Sequence, residues 1–189
     1  MFKCLSTSLI VSTLLFTAQS QASDFRLLSH TIADGEMLKP AQVFNAFGCH
    51  GNNVSPDLSW QGAPKGTRSF AITVYDPSAP SVSGWWHWTL VNIPADVHEL
   101  KTDAGNVSGQ NLPAGAVQGR NDYGSASFGG ACPPPGFKSH PYLFTIWALD
   151  TPTLPVTAES SGALVGYQLN AHVLAKAELR PVYGTPGKK

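Results

Sequence analysis

The sequence predicts a mainly β, loop-rich domain, on three observations. Apolar and polar residues alternate over 70–75, and residues 85–93 and 143–149 are largely apolar on both faces, which is typical of strands that are covered on both sides. Only residues 160–177 show a convincing helical period. The 18 glycines and 15 prolines among 189 residues also fit a chain with many turns.

Residues 1–22 have the organisation of a secretory signal peptide. Lys3 precedes an apolar segment, and Ser20-Gln21-Ala22 forms a small-x-small cleavage site. We expect cleavage after Ala22, which leaves residues 23–189 as one domain. Loss of Lys3 leaves 11 basic against 12 acidic residues, a formal charge of −1. The apolar segment is too short for the alternative, a membrane anchor. The predicted location is the periplasm, and release from the cell is left open.

The composition disfavours several classes of partner and cofactor. Charged residues make up only 13% of the chain and form no basic stripe, so a nucleic acid is not expected. No apolar run after the signal peptide reaches the length of a membrane span. No cofactor motif is present, and the oligomeric state, a homodimer included, is left open.

The remaining elements follow in order along the chain. We expect a first short strand at 24–28 and an edge strand at 37–44, which Pro40 interrupts because proline lacks the N–H that a sheet needs. The helix is expected to be capped by Ser160 or Ser161. Further predictions are a strand start at 58–60, a short element at 97–100, mostly loop over 102–128 and a last strand at 178–183.

The cysteines predict one disulfide. Cys4 is removed with the signal peptide, so the mature chain keeps Cys49 and Cys132, which pair most simply in an oxidising compartment. The alternative is a zinc site that adds His50 and His140. Adjacent Cys49 and His50 are poorly spaced for one tetrahedral site, and no C-x-x-C motif supports it.

Three stretches carry the candidate binding chemistry. The short loop between the strands at 70–75 and 85–93 places Asp76 and His87 near one rim. The stretch GGACPPPG at 129–136 has glycines that allow a close backbone approach and N–H groups that can form an anion nest. His140 and Tyr142 are two residues apart, so on a strand they share a face.

Four motifs, in this order and spacing, resemble the phosphatidylethanolamine-binding protein family, especially its bacterial branch described as Raf kinase inhibitor-like: DPSAP at 76–80, WWHW at 85–88, GACPP at 130–134 and HPY at 140–142. The resemblance covers essentially the whole mature chain. It implies a central antiparallel sheet flanked by a smaller second sheet and a C-terminal helix. It also implies a small pocket that binds anions such as phosphate, and phospholipid head groups in some relatives.

The pocket residues that the resemblance implies are Asp76, Trp85, His87, Gly130, Pro134, His140 and Tyr142. In that arrangement Asp76 and His87 share one wall, and Gly130 supplies backbone donors. This chain has Pro141 where many relatives have arginine, which removes a cation and an N–H group. Contact with a kinase-like partner through that arginine is therefore not carried over to this chain.

The residue chemistry favours binding over catalysis. His87 and His140 can each donate to a phosphate oxygen, more strongly when protonated. Asp76 can orient a histidine, or accept from an ammonium or hydroxyl group. We therefore predict an exported, non-enzymatic protein that binds a small anion or phosphorylated head group, more tightly at lower pH, with a role in modulating a signalling partner.

Two other functions remain open. An Asp76–His87 pair is two-thirds of a hydrolase triad, although the chain has no G-x-S-x-G, H-E-x-x-H or P-loop motif. The other is a secreted protein-interaction or inhibitor module, which rests on family analogy. A bland interpretation stands beside them, in which His87 is a neutral core histidine bonded to Asp76 without any ligand.

Overall fold

The computed structural model describes residues 24–136 and 138–184. The predicted signal peptide, residues 1–22, lies outside this range. No helix in the described part of the chain is long and apolar enough to cross a membrane.

The described residues form ten strands, one α-helix and one 3-10 helix. The strands are β1 (Arg26–Leu28), β2 (Leu58–Gln61), β3 (Ser69–Asp76), β4 (Trp85–Pro94), β5 (Glu99–Leu100), β6 (Val117–Gln118), β7 (His140–Pro141), β8 (Leu143–Leu149), β9 (Val173–Leu179) and β10 (Val182–Tyr183). The helices are α1 (Gly162–His172) and a 3-10 turn at Pro40–Gln42.

The central sheet has five antiparallel strands in the order β6-β4-β3-β8-β9. A three-stranded sheet has the order β1-β2-β5, and β7 pairs with β10. The predicted fold class, mainly β with a central antiparallel sheet and a helix near the C-terminus, is confirmed. The one smaller sheet that we expected is represented by two.

Both faces of the central sheet are covered, as the apolar strands predicted. Phe70 and Ile72 of β3 belong to the larger core cluster. Ala71, between them, faces the second cluster, where Val165 and Leu169 of α1 pack against the sheet. The period-2 alternation thus places successive side chains in two different cores.

The predicted helix at 160–177 is too long. α1 begins after Ser161, whose hydroxyl accepts a backbone hydrogen bond as the N-cap, and it ends at His172. From Val173 the chain pairs with β8, with Val173 opposite Leu149. Sheet pairing overrides the helical propensity of the sequence AKAEL. The predicted last strand at 178–183 correspondingly divides between β9 and β10.

The predicted edge strand at 37–44 is wrong. Pro40 begins a 3-10 turn, because its fixed φ suits the first residue of a helix. Only isolated bridges flank it, from Met37 to Val182 and from Val43 to Ala131.

The predicted disulfide between Cys49 and Cys132 is present and joins positions 83 residues apart. Since both sulfurs are bonded to each other, neither is a thiolate that could take part in the alternative zinc site.

Candidate functional site

A pocket of about 600 Å³ opens beside the end of β3 and the start of β4. Six of the seven residues predicted from the resemblance line it: Asp76, Trp85, His87, Pro134, His140 and Tyr142. The seventh, Gly130, lies behind the wall. The disulfide also lines the pocket, so its two cysteines tie the segments of the wall together.

Asp76 pairs with His140 and not with His87, which corrects the predicted pair. The Nδ1 atom of His140 lies 2.7 Å from Oδ2 of Asp76, and both side chains are buried. The other carboxylate oxygen accepts a hydrogen bond from the backbone N–H of Ser78 at 2.7 Å. The carboxylate is therefore held on both oxygens, and it in turn orients the ring of His140.

His87 points elsewhere because it is the extra residue of a β-bulge. Tyr75 lies opposite Trp86 and Val74 lies opposite Trp88, so no residue of β3 pairs with His87. A bulge changes the direction of a side chain relative to the regular pleat. The backbone of His87 pairs instead with the loop at Gly129, whose N–H donates to the His87 carbonyl at 2.8 Å.

The ring of His87 is anchored to two backbone carbonyls. Its Nδ1 atom lies 2.8 Å from the oxygen of Gly129 and 3.1 Å from that of Gly130. Since carbonyl oxygens only accept, Nδ1 must carry the proton. Burial lowers the pKa of His87 below the ordinary value of 6.5, against the opposing effects of these carbonyls and of the Asp76 charge. His87 is thus neutral near pH 7.

Gly130 has a different role from the predicted one. Its N–H donates to Oδ1 of Asn53 at 2.7 Å, so this donor is not directed to a ligand. A Cβ at Gly130 would lie 2.6 Å from the backbone nitrogen of Phe44, so only glycine fits there. Gly130 supports the pocket through its carbonyl, which fixes His87.

Two buried donors in the pocket wall have no acceptor among the described residues. The indole Nε1 of Trp85 has no hydrogen-bond partner there, and the Tyr142 hydroxyl, which the backbone N–H of Cys132 approaches, has no acceptor for its own proton. Burial, assisted by the Asp76 charge, raises the pKa of Tyr142, so its hydroxyl keeps its proton. Buried polar groups in native proteins almost always have partners. An acceptor held in the pocket, either a water or a ligand, can complete the hydrogen bonding of these two donors.

Tyr123 and Phe47 also line the pocket, although no pattern in the sequence predicted either of them. The Tyr123 hydroxyl donates to the Gly130 carbonyl at 3.2 Å, and its ring stacks on Phe44 with 3.9 Å between centroids. Phe47 lies at the rim and is 73% exposed. The only signal in the sequence was that both residues are aromatic and lie in long loops. A loop has no periodic pattern that would show which of its side chains face a pocket.

The sequence profile of the phosphatidylethanolamine-binding protein family matches residues 28–184. This chain belongs to that family. The resemblance in the four motifs is thereby confirmed.

Several relatives resemble the chain over most of its length. The Escherichia coli K12 protein YbcL is 59% identical over 178 residues, which are 93% of this chain and 97% of YbcL. The crystal structure of E. coli YbcL, described as a new member of the mammalian PEBP family, matches with a TM-score of 0.84 over 85% of this chain and 98% of that one. E. coli YbhB is 43% identical, over 84% of this chain and 99% of the YbhB chain. A putative phosphatidylethanolamine-binding protein homologue of Chlamydia trachomatis has 26% identity and a TM-score of 0.71 over 87% of this chain and 99% of that one.

Pro141, which stands where the resemblance implies an arginine, fits the sheet without loss of a hydrogen bond. It lies opposite Val182 in the β7–β10 pair. The N–H and carbonyl of Val182 bond instead to Glu36 and Leu38, at 2.8 Å each. The missing N–H of proline therefore leaves no ladder partner unsatisfied.

Proposed function

We propose that this protein is an exported, non-enzymatic binder of a small anion or phosphorylated head group. The observation that carries the proposal is the pair of orphaned donors, Trp85 Nε1 and the Tyr142 hydroxyl, in a pocket that also contains two histidines. The oxygens of a phosphoryl group are strong hydrogen-bond acceptors that suit such donors. The name of the family points to a ligand that contains a phosphoryl group.

The charge of the pocket predicts the direction of the pH dependence. Asp76 is buried beside the site and its carboxylate repels an anion, unless a histidine is protonated. Affinity should therefore rise as the pH falls through the range in which histidines titrate, about 5 to 8. An affinity that is flat or increases with pH over that range contradicts the proposal.

Calorimetry on the mature chain tests the binding directly. Inorganic phosphate and phosphoethanolamine are titrated into the wild type and into the Trp85→Phe and Tyr142→Phe variants. Each substitution removes one donor and nearly preserves the shape of the side chain, so each should weaken binding. Tyr167→Phe is the matched control, because Tyr167 is exposed on α1 and does not line the pocket. Folded wild type that binds neither probe overturns the proposal.

A hydrolase is the second candidate, because the buried Asp76–His140 pair resembles two members of a catalytic triad. Ser81 lines the pocket, but its hydroxyl donates to the carbonyl of Gly84 and is not paired with a histidine. Hydrolysis of a model ester that is lost in His140→Ala and retained in Ser81→Ala would favour an enzyme with another nucleophile. Absence of turnover by the folded protein supports binding alone.

Export and a signalling partner complete the proposal. The Cys49–Cys132 disulfide supports an oxidising compartment such as the periplasm. Fractionation of the native host and the N-terminal sequence of the mature protein test the cleavage after Ala22. A protein partner that still binds the His87→Ala variant would favour the interaction module over a ligand-dependent role.

A further inference from the structure

The hydrogen bonds of His87 determine which ring nitrogen the ligand meets. Nδ1 is held between the carbonyls of Gly129 and Gly130, so the proton of the neutral ring lies on that nitrogen. Nε2 makes no hydrogen bond with the described residues, and His87 lines the pocket. Neutral His87 therefore offers the pocket an acceptor where the motif suggested a donor.

The anchoring that fixes this tautomer is well supported. Asn53 accepts from the Gly130 N–H at 2.7 Å and donates to the Phe128 carbonyl at 3.2 Å, so it holds both ends of the glycine pair. Tyr123 donates to the same Gly130 carbonyl at 3.2 Å. The two carbonyls cannot turn away from His87 without breaking these bonds.

The ionisable groups around His87 come from several elements. Asp76 at the end of β3 and Asp122 in the loop after β6 are the acidic groups that act on it electrostatically. Tyr142 lies edge-on at 5.0 Å between ring centroids and Tyr123 at 5.6 Å, and the pKa values of both are raised, mainly by burial. His140 is bonded to Asp76. Among the described residues, the groups next to His87 therefore include no cation other than a protonated histidine.

We propose that Nε2 of neutral His87 accepts a hydrogen bond from the ligand, so that the pocket selects oxyanions that retain an acidic proton. This inference rests on the proposed anion site and specifies its ligand class. Trp85 and Tyr142 donate to two oxygens of the ligand, and the ligand's own P–OH donates to His87. Inorganic phosphate and phosphomonoesters carry such a proton near pH 6, since the second pKa of a monoester is about 6. Sulfate and phosphodiesters, the linkage of membrane phospholipids, carry none.

The test compares pairs of probes that differ in that proton. At about pH 6.5, phosphate is compared with sulfate and methyl phosphate with dimethyl phosphate, by calorimetry on the wild type. When a probe without a proton is bound, Nε2 of His87 faces the lone pairs of the anion and has no donor. Because an unpaired acceptor in a binding site is unfavourable, we expect the protonated member of each pair to bind about tenfold or more tightly.

Two variants separate the role of His87 from a general loss of binding. His87→Asn keeps a side-chain N–H for the Gly129 and Gly130 carbonyls but removes the Nε2 acceptor, so the preference should fall below about threefold. Tyr142→Phe removes a donor that any oxyanion can use, so it should weaken phosphate and sulfate equally and leave their ratio unchanged.

The outcomes distinguish this inference from the proposed function. Sulfate that binds the wild type as tightly as phosphate overturns the inference and leaves the anion site intact. A preference that survives in His87→Asn also overturns it. If no probe binds, the anion site itself is wrong.

Discussion

The Asp76 carboxylate is a buried charge whose two oxygens each accept a hydrogen bond. Its partners are the ring of His140 and the backbone N–H of Ser78. Removal of one member of a buried pair leaves the other unpaired, which destabilises a protein by about 3 kcal/mol or more. We therefore expect Asp76→Ala to lower the free energy of unfolding by about that amount, measured by urea denaturation.

The protein provides an exposed pair as the control for this prediction. His172 and Asp150 are 2.9 Å apart, against 2.7 Å for the buried pair, but their side chains are 39% and 54% exposed. Asp150→Ala should lower the stability by less than about 1 kcal/mol, because water solvates the remaining histidine. Equal losses in the two variants would show that burial of the Asp76 pair does not matter.

His87 makes the stability of the fold depend on pH. Its pKa is below 6.5 in the folded state, chiefly because of burial, and returns to the ordinary value on unfolding. The unfolded state therefore binds more protons, so this contribution is complete above pH 6.5 and is lost as the pH falls through the folded pKa. Unfolding free energies from pH 7.5 to 5 should decrease more steeply for the wild type than for His87→Asn. Parallel curves would show that His87 is not the cause.

At the level of single residues, the family resemblance named six residues that line the pocket, but it did not predict the Asp76–His140 pair or the lining residues Tyr123 and Phe47. Asp76 ends β3 and His87 lies near the start of the adjacent strand β4, which suggested that the two side chains meet. The bulge at His87 turns its ring toward the Gly129–Gly130 loop, and β7 brings in His140 from 64 positions along the chain. Neither a one-residue bulge nor a contact between residues far apart in the chain leaves a periodic signal in the sequence.

At the level of elements, a second bulge interrupts β4 at Asn92. Ala71 of β3 lies opposite both Val91 and Asn92, and Asn92 has a φ of 60°. Its side-chain amide bonds to both backbone groups of Leu154, accepting at 2.7 Å and donating at 3.3 Å. Asparagine therefore joins the central sheet to the segment before α1.

Two substitutions at Asn92 separate backbone strain from hydrogen bonding. Asn92→Ala loses the bonds, and alanine lacks the short polar side chain that helps asparagine to tolerate the left-handed region, so the change should lower the stability by about 2 kcal/mol. Asn92→Gly loses the same bonds but tolerates the positive φ, so it should be about 1 kcal/mol less destabilising. Equilibrium unfolding in urea measures both, and equal losses would show that the left-handed backbone carries no strain.

The central elements were predictable and the peripheral ones were not, for a physical reason. β3, β4 and β8 have apolar patterns because they are buried between two cores, and the patterns survive in the sequence. The predicted helix extended into β9 because the residues there are good helix formers. In the structure these residues pair with β8 instead. An edge strand has only one neighbour to define it, so the local sequence is a weak guide.

At the scale of the whole molecule, the Cys49–Cys132 disulfide crosses between two loops of the pocket wall. It closes a loop of 83 positions, so its removal can lower the stability by up to roughly 4 kcal/mol in the chain-entropy model. The hydrogen bonds that position the carbonyls around His87 do not involve the disulfide. Asn53 holds Gly130, and the Ala131 N–H and carbonyl bond to Gln42 and Phe44 at 3.0 Å each.

The double variant Cys49→Ser/Cys132→Ser should therefore separate stability from binding. We expect urea denaturation to show a clear loss of unfolding free energy, because the unfolded chain regains the entropy that the cross-link removed. Below the transition, phosphate affinity should change by less than about threefold, because the anchors of His87 remain. A variant that stays stable but no longer binds phosphate would show the reverse: the disulfide, and not the Asn53 and Ala131 contacts, holds the pocket wall in place.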